Sequence, residues 1–138
     1  PVVEVVEHAP GTSWLVARLA GLQHAHGVGP VAFDPSGPAG ALQPELAAAG
    51  VAVDVVTAAR MTQACGAFIA AVTDGQFVHR GERTLTDAAL AGRRRQSGDV
   101  ARWSRRDSTV DISPLVAATI ARHVGAERGD PEPGVYVL

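Results

Sequence analysis

The stretch Val31-Ala32-Phe33-Asp34-Pro35-Ser36-Gly37-Pro38-Ala39-Gly40 constrains the fold more than any other part of the chain. A short apolar run delivers one carboxylate to its end, and two prolines and two glycines then forbid the strand to continue. In open α/β sheets, ligands and catalytic groups sit just beyond the carboxyl ends of the strands. Asp34 is therefore a candidate for chemistry, and the rest of the chain can be read by asking what could join it.

The flanking sequence supplies a β-α-β-α-β-α series. Pro1 to His8 reads as a Val-rich strand, and Gly11-Thr12-Ser13 breaks it before a helix with Leu15, Leu19 and Leu22 on one face. Val31 to Asp34 is the next strand. Ala41 to Ala49 follows as a short helix that tolerates Pro44 in its first turn and stops at Gly50. Val51 to Val56 is a third strand, in which Asp54 alternates with apolar neighbours and is expected to face solvent. Thr57 caps a longer helix whose apolar stripe is Met61, Ala64, Cys65, Phe68, Ile69 and Val72. After the turn at Asp74-Gly75, a short strand spans Gln76 to Arg80. A helix starting at Thr84 or Thr86 then runs into Arg93-Arg94-Arg95, where cations suit the C-terminal dipole, and ends at Ser97-Gly98. Val100 to Arg106 is a last strand, and Ser113-Pro114 opens a helix over Leu115 to Val124. This order predicts an α/β fold with a largely parallel sheet.

Composition narrows the class. With 138 residues, 46% hydrophobic but only 4% aromatic, the chain makes one domain with a core of Ala, Val and Leu. No apolar run approaches the ~18 residues of a membrane span, and no secretory signal pattern is present. The start at Pro1, without an initiator Met, points to a fragment or a processed product. The lone Cys65 excludes an internal disulfide and is expected to be buried, in keeping with a reducing compartment. All twelve basic residues are Arg. Eight of them lie between Arg80 and Arg106 against three acids (Glu82, Asp87, Asp99), so this segment carries +5 in a chain whose net charge is −2. Such asymmetry fits a surface that faces a polyanion.

Among the acids that could join Asp34, Asp111 stands out. It lies between Val110 and Ile112 at the start of a helix, close behind a basic strand. A carboxylate at a strand end and another at a helix start can share a divalent ion of the Mg²⁺ class, and such ions can clamp the oxygens of a phosphodiester. The histidines show no metal-ligand spacing beyond His24-x-His26, and positions i and i+2 do not share a helix face. Walker A, G-x-G-x-x-G and G-x-S-x-G patterns are absent.

Four segments occur in order: Gly11-Thr12-Ser13-Trp14, Phe33 to Gly40, Gln63-Ala64-Cys65-Gly66 and Asp111-Ile112-Ser113-Pro114-Leu115-Val116-Ala117-Ala118. Between them stand His79-x-Gly81, Leu85-Thr86-Asp87-Ala88-Ala89 and Trp103-Ser104-Arg105-Arg106. So arranged, the chain up to about Arg122 resembles the C-terminal nuclease domain of tailed-phage terminase large subunits, as found in phages and prophages of high-GC actinobacteria. The resemblance implies an RNase H-like mixed sheet flanked by helices. It also implies a Mg²⁺- or Mn²⁺-dependent endonuclease that cuts concatemeric double-stranded DNA during genome packaging in the host cytoplasm. The full-length partners it implies are an ATPase domain, the small terminase and the portal, and no membrane.

In that family three main acids form the site. Asp34 matches the one after the fourth sheet strand and Asp111 the one near the last helix, with Asp107 as a nearby alternative; both Asp34 and Asp111 are then catalytic metal ligands. Arg105 and Arg106 are the expected DNA phosphate contacts, with Arg93 to Arg95 farther out. The family's first acid, on a first strand upstream of a β-hairpin, has no counterpart here, because Pro1 to His8 corresponds to the strand leading into the first helix. The expectation is a partial RNase H-like nuclease domain over residues 1–125 that lacks the first strands, followed by a tail over 126–138. A gap with unpaired backbone should stand where the central strand belongs, and the chain alone should cleave DNA poorly. The alternative is an inactive prophage remnant or a non-catalytic module that binds DNA or a packaging partner.

Overall fold

The computed structural model describes residues 2–129. In chain order these form β1 (Val2–Val3), α1 (Leu15–His26), β2 (Val31–Phe33), a 3₁₀ turn (Pro38–Leu42), α2 (Gln43–Ala48), β3 (Val53–Val55), α3 (Ala58–Thr73), β4 (Val78–His79), α4 (Arg83–Ala91), β5 (Arg93–Ser97), β6 (Val100–Ser104) and α5 (Ser113–Arg128). The chain is a mixed α/β fold, and none of these helices is long and apolar enough to cross a membrane.

The strands do not make one sheet. β1 pairs with β4 and β2 with β3, both parallel, while β5 and β6 form an antiparallel hairpin. Among the described residues of the expected strand over Pro1 to His8, only Val2–Val3 is paired, with the two residues of β4. Two cores lie on opposite faces of the β2–β3 pair. Val31 and Phe33 join Leu15, Leu19, Leu42 and Leu46 on one face. Ala32 and Val56 join Met61, Phe68, Leu85, Leu115 and Ile120 on the other. Alternation along a short strand buried on both faces produces this division.

Local chemistry explains most boundaries. Thr57 Oγ1 accepts from the Arg60 amide and caps α3, and Met61, Ala64, Cys65 and Phe68 are buried as the stripe predicts. Val72, the outer member of that stripe, is half exposed. Helix α4 stops at Ala91, so Arg93 to Arg95 do not end a helix: they open β5. Gly92 takes an extended conformation, and a β-carbon there would stand 2.7 Å from Leu115 Cδ2, so the chain leaves the helix at that close approach. Gly98, at φ +63°, then starts a two-residue loop of the Gly-Asp type that favours hairpins. Helix α5 begins at Ser113 and continues to Arg128, past Gly125; the remainder of the expected tail lies outside the described residues.

Asp54 does not face free solvent. It lies on the strand face that α5 and the first turn of α3 cover. There Arg60 Nη1 donates to Oδ1 at 2.8 Å and Arg128 Nη2 to Oδ2 at 3.2 Å. Arg60 also reaches Glu127 at 2.7 Å and the Val55 carbonyl at 2.9 Å. The Arg60 hydrogen bond is the largest influence holding the Asp54 carboxyl below its ordinary value, and it outweighs burial. The folded-state value is thus depressed, so this contribution is complete above the ordinary value of 3.8 and lost as pH falls through the folded value. Asp54→Asn should cost about 1–2 kcal/mol at neutral pH. In urea unfolding, the gap between variant and wild type should close as pH is lowered below 3.8. A gap that stays constant would place the cost elsewhere.

Candidate functional site

Asp34 follows directly on β2, where the chain turns. Its Oδ1 accepts from the Ser36 amide at 2.9 Å and the Ser36 hydroxyl at 2.6 Å, and its carbonyl accepts from the Gly37 amide at 3.1 Å. The 3₁₀ turn Pro38–Leu42 then folds back so tightly that a β-carbon at Gly40 would run into the Pro35 carbonyl. The Pro and Gly residues thus do more than stop a strand: they wrap a turn around one carboxylate.

Asp111 stands at the head of α5. The helix begins at Ser113 rather than being capped by it, and the capping contact comes from Asp111, whose Oδ1 accepts from the Ser113 amide at 2.9 Å. Exposed amides at a helix start favour an anion there. The other oxygen, Oδ2, lies 3.0 Å from His8 Nε2. Burial raises the Asp111 carboxyl, but bonds from Ser113 and His8 outweigh it and hold the group below the usual carboxylate range.

Arg105 packs between the two segments that carry the acids. β6 ends at Ser104, so Arg105 and Arg106 lie in the turn beyond it and not on the strand itself. Arg105 Nη1 donates to Ser113 Oγ at 2.9 Å, while Nη2 lies against the Asp34 turn, 3.4 Å from where a β-carbon of residue 37 would stand. Burial pushes the guanidinium down from its ordinary value, and the fields of Asp111 and Asp34 both oppose that shift. Nη2 is buried without a hydrogen-bond partner, which is costly for a charged group. Arg106 is exposed. Asp107 serves the turn, its Oδ2 accepting from Ser104 Oγ at 2.7 Å.

Beside this cluster lies an apolar cavity of about 520 Å³. Its walls are the segment from Val3 to Ala9, the Leu15, Leu19 and Leu22 face of α1, and the Ala117, Ala118 and Ala121 face of α5. His8, Arg105 and Asp111 also line it. The backbone beyond Val3 borders this cavity without a strand partner.

Arg105 thus touches Ser113, two residues after Asp111, and the turn that follows Asp34, and it feels the field of both carboxylates across 77 positions of sequence (111 − 34). No group of three His, Cys, Asp or Glu side chains suited to a metal ion occurs among the described residues. Two carboxylates with water and substrate phosphate completing the shell are nevertheless a donor set that Mg²⁺ accepts, and Asp34 and Asp111 fit that role if Arg105 turns aside. Sequence reasoning missed His8. The signal was there, since His8 ends its Val-rich segment as Asp34 ends β2, and strand ends of one direction converge in such folds. No known protein family, curated protein or solved structure matches the chain.

The turn that holds Asp34 is open to a direct test. Gly40→Ala should force the 3₁₀ turn away from the Pro35 carbonyl and destabilise the protein by about 1–3 kcal/mol. A drop in thermal midpoint, together with displaced amide signals of Ser36 and Gly37, is the expected result. An unchanged midpoint would show that the turn yields freely.

Proposed function

We propose that this chain carries the nuclease core of a phage terminase large subunit, a divalent-metal-dependent endonuclease acting on double-stranded DNA. The observation that carries the reading is that Arg105 packs against both the turn after Asp34 and the start of α5 at Asp111–Ser113, within the field of both carboxylates. An RNase H-like sheet has a further strand between those that correspond to β1 and β2. The apolar cavity bounded by Val3 to Ala9, α1 and α5 has the lining and helix-covered faces that such a strand requires, which supports that fold assignment.

In this reading Asp34 and Asp111 hold Mg²⁺ or Mn²⁺, and the Ser36 and Ser113 donors fix the orientation of both carboxylates. When bound, the ion supplies Lewis acidity toward water and the scissile phosphodiester. Arg105 is half-buried and has an unpartnered Nη2, so it can give that donor to a phosphate oxygen. Exposed Arg106 adds a backbone contact beside it. His8 orients Asp111 through its 3.0 Å contact.

One observation favours a second reading. Arg105 offsets part of the charge of the two acids without any metal, and its unpartnered Nη2 is a donor that a module binding a phosphate backbone without cutting it would use. Supercoiled plasmid incubated with the chain and Mn²⁺ separates the two. Slow nicking that is blocked by chelator and abolished by Asp34→Asn, with salt-sensitive DNA binding retained, supports the nuclease. Binding with no nicking at any protein concentration supports the second reading, and nicking that survives in the variant places the chemistry at other residues.

A further inference from the structure

We propose that the β5–β6 hairpin is a separate docking ribbon for double-stranded nucleic acid, binding phosphates through Arg93, Arg95 and Arg102. In the antiparallel register Arg93 lies across from Ser104 and Arg95 across from Arg102. Alternation puts Arg93, Arg95 and Arg102 on one side of the ribbon, and Arg94, Gln96, Ala101 and Trp103 on the other. Like charges directly opposite each other on a strand pair destabilise it, and no acid among the described residues forms an ion pair with them.

The contrast with the other arginines is informative. Arg18, Arg60, Arg80, Arg83 and Arg128 each reach a carboxylate. Among the described residues, Arg93, Arg94, Arg95, Arg102, Arg105, Arg106 and Arg122 form no ion pair, and all of these but Arg122 fall between Arg93 and Arg106. Six arginines lie between Arg93 and Arg106 against one acid, Asp99, in the hairpin loop. Arg93, Arg94, Arg95 and Arg106 are exposed and Arg102 is half-buried. An unpaired guanidinium row of this density is the electrostatic footprint of a phosphate backbone.

The side chains that are missing from this surface choose the partner. Trp103 is the ribbon's one aromatic residue, and it turns inward: its Nε1 donates to Thr119 Oγ1 at 2.9 Å and its ring packs edge-on against Phe68. The ribbon therefore has no exposed ring on which an unpaired base could stack, which single-strand binders use. It also lacks the aromatic or leucyl side chains that seat a basic surface in a bilayer interface. A two-stranded ribbon of this kind fits the major groove of a duplex, and its β6 strand leads by one residue into Arg105. The proposal rests on the nucleic-acid reading above, but not on cleavage.

Binding of the full chain to a labelled DNA duplex of about two helical turns, in chelator so that no cutting occurs, tests it. Affinity is followed between about 50 and 200 mM salt. The combined variant Arg93→Gln, Arg95→Gln and Arg102→Gln should lower the slope of log affinity against log salt by about 3, at roughly 0.9 per lost phosphate contact. The corresponding Lys variants should keep the slope. If the triple Gln variant melts at assay temperature, each single variant should still lower the slope by about 0.9. A slope unaltered by these changes would overturn the proposal. So would a wild-type chain that does not bind duplex, or one that prefers single strands or phosphatidylserine vesicles. Loss of nicking with these slopes intact would count against the nuclease alone.

Discussion

Side-chain packing on α5 is the constraint on which the rest of the molecule depends. Three strand pairs with no hydrogen bonds between them would fall apart as separate ribbons, because isolated two-stranded pieces are marginal in water. Leu115, Val116, Ala118, Thr119, Ile120 and Val124 are all buried, and they reach α3, α4, β1 and β2 from one helix. At roughly 1.5–3 kcal/mol for each large apolar side chain removed from water, this face outweighs any ion pair on the surface. Its two ends are then fixed by charge. Asp111 meets the first amides, and Arg128 ties the last turn to Asp54 and to the Pro30 carbonyl. One helix thereby sets the position of β2 and the place of Asp111 together.

That shared dependence shapes the candidate site. Asp34 is held by β2 and its turn, Asp111 by the head of α5, and Arg105 by the turn after β6. Arg105 is held against the Asp34 turn and Ser113 where β6, anchored on α3 and α5 through Trp103, ends. The result is a cluster with a net negative charge, two carboxylates against one half-buried guanidinium that still has an unused donor. That surplus of negative charge favours an added cation, which the counter-ion of a phosphodiester can supply. The ribbon of unpaired arginines that leads into Arg105 extends the positive field outward from that point.

Where sequence reading succeeded, the cause was local. The turn after Phe33, the Thr57 cap, the apolar stripe of α3 and the burial of Cys65 depend on residues within a few positions of one another. Where it failed, a distant partner decided. Asp54 looked solvent-facing because alternation assumes one open face, and both faces of β2–β3 are covered. Arg93 to Arg95 looked like a helix end until Leu115 crowded Gly92 and β6 supplied a strand to pair with. His8 carried no motif, and only its approach to Asp111 across 103 positions gives it a role.

By itself, the sequence determined the α/β class, most of the helices, the carboxylate at the end of β2 and the arginine-rich stretch, since composition, periodicity and breakers act over a single turn or strand. The tertiary structure decided that the strands stand as three pairs, that a cavity opens among Val3 to Ala9, α1 and α5, and that Arg105 packs against the Asp34 turn and Ser113. Those outcomes depend on which side chains meet after the chain has closed on α5, and contacts between residues far apart in sequence leave no periodic trace in it.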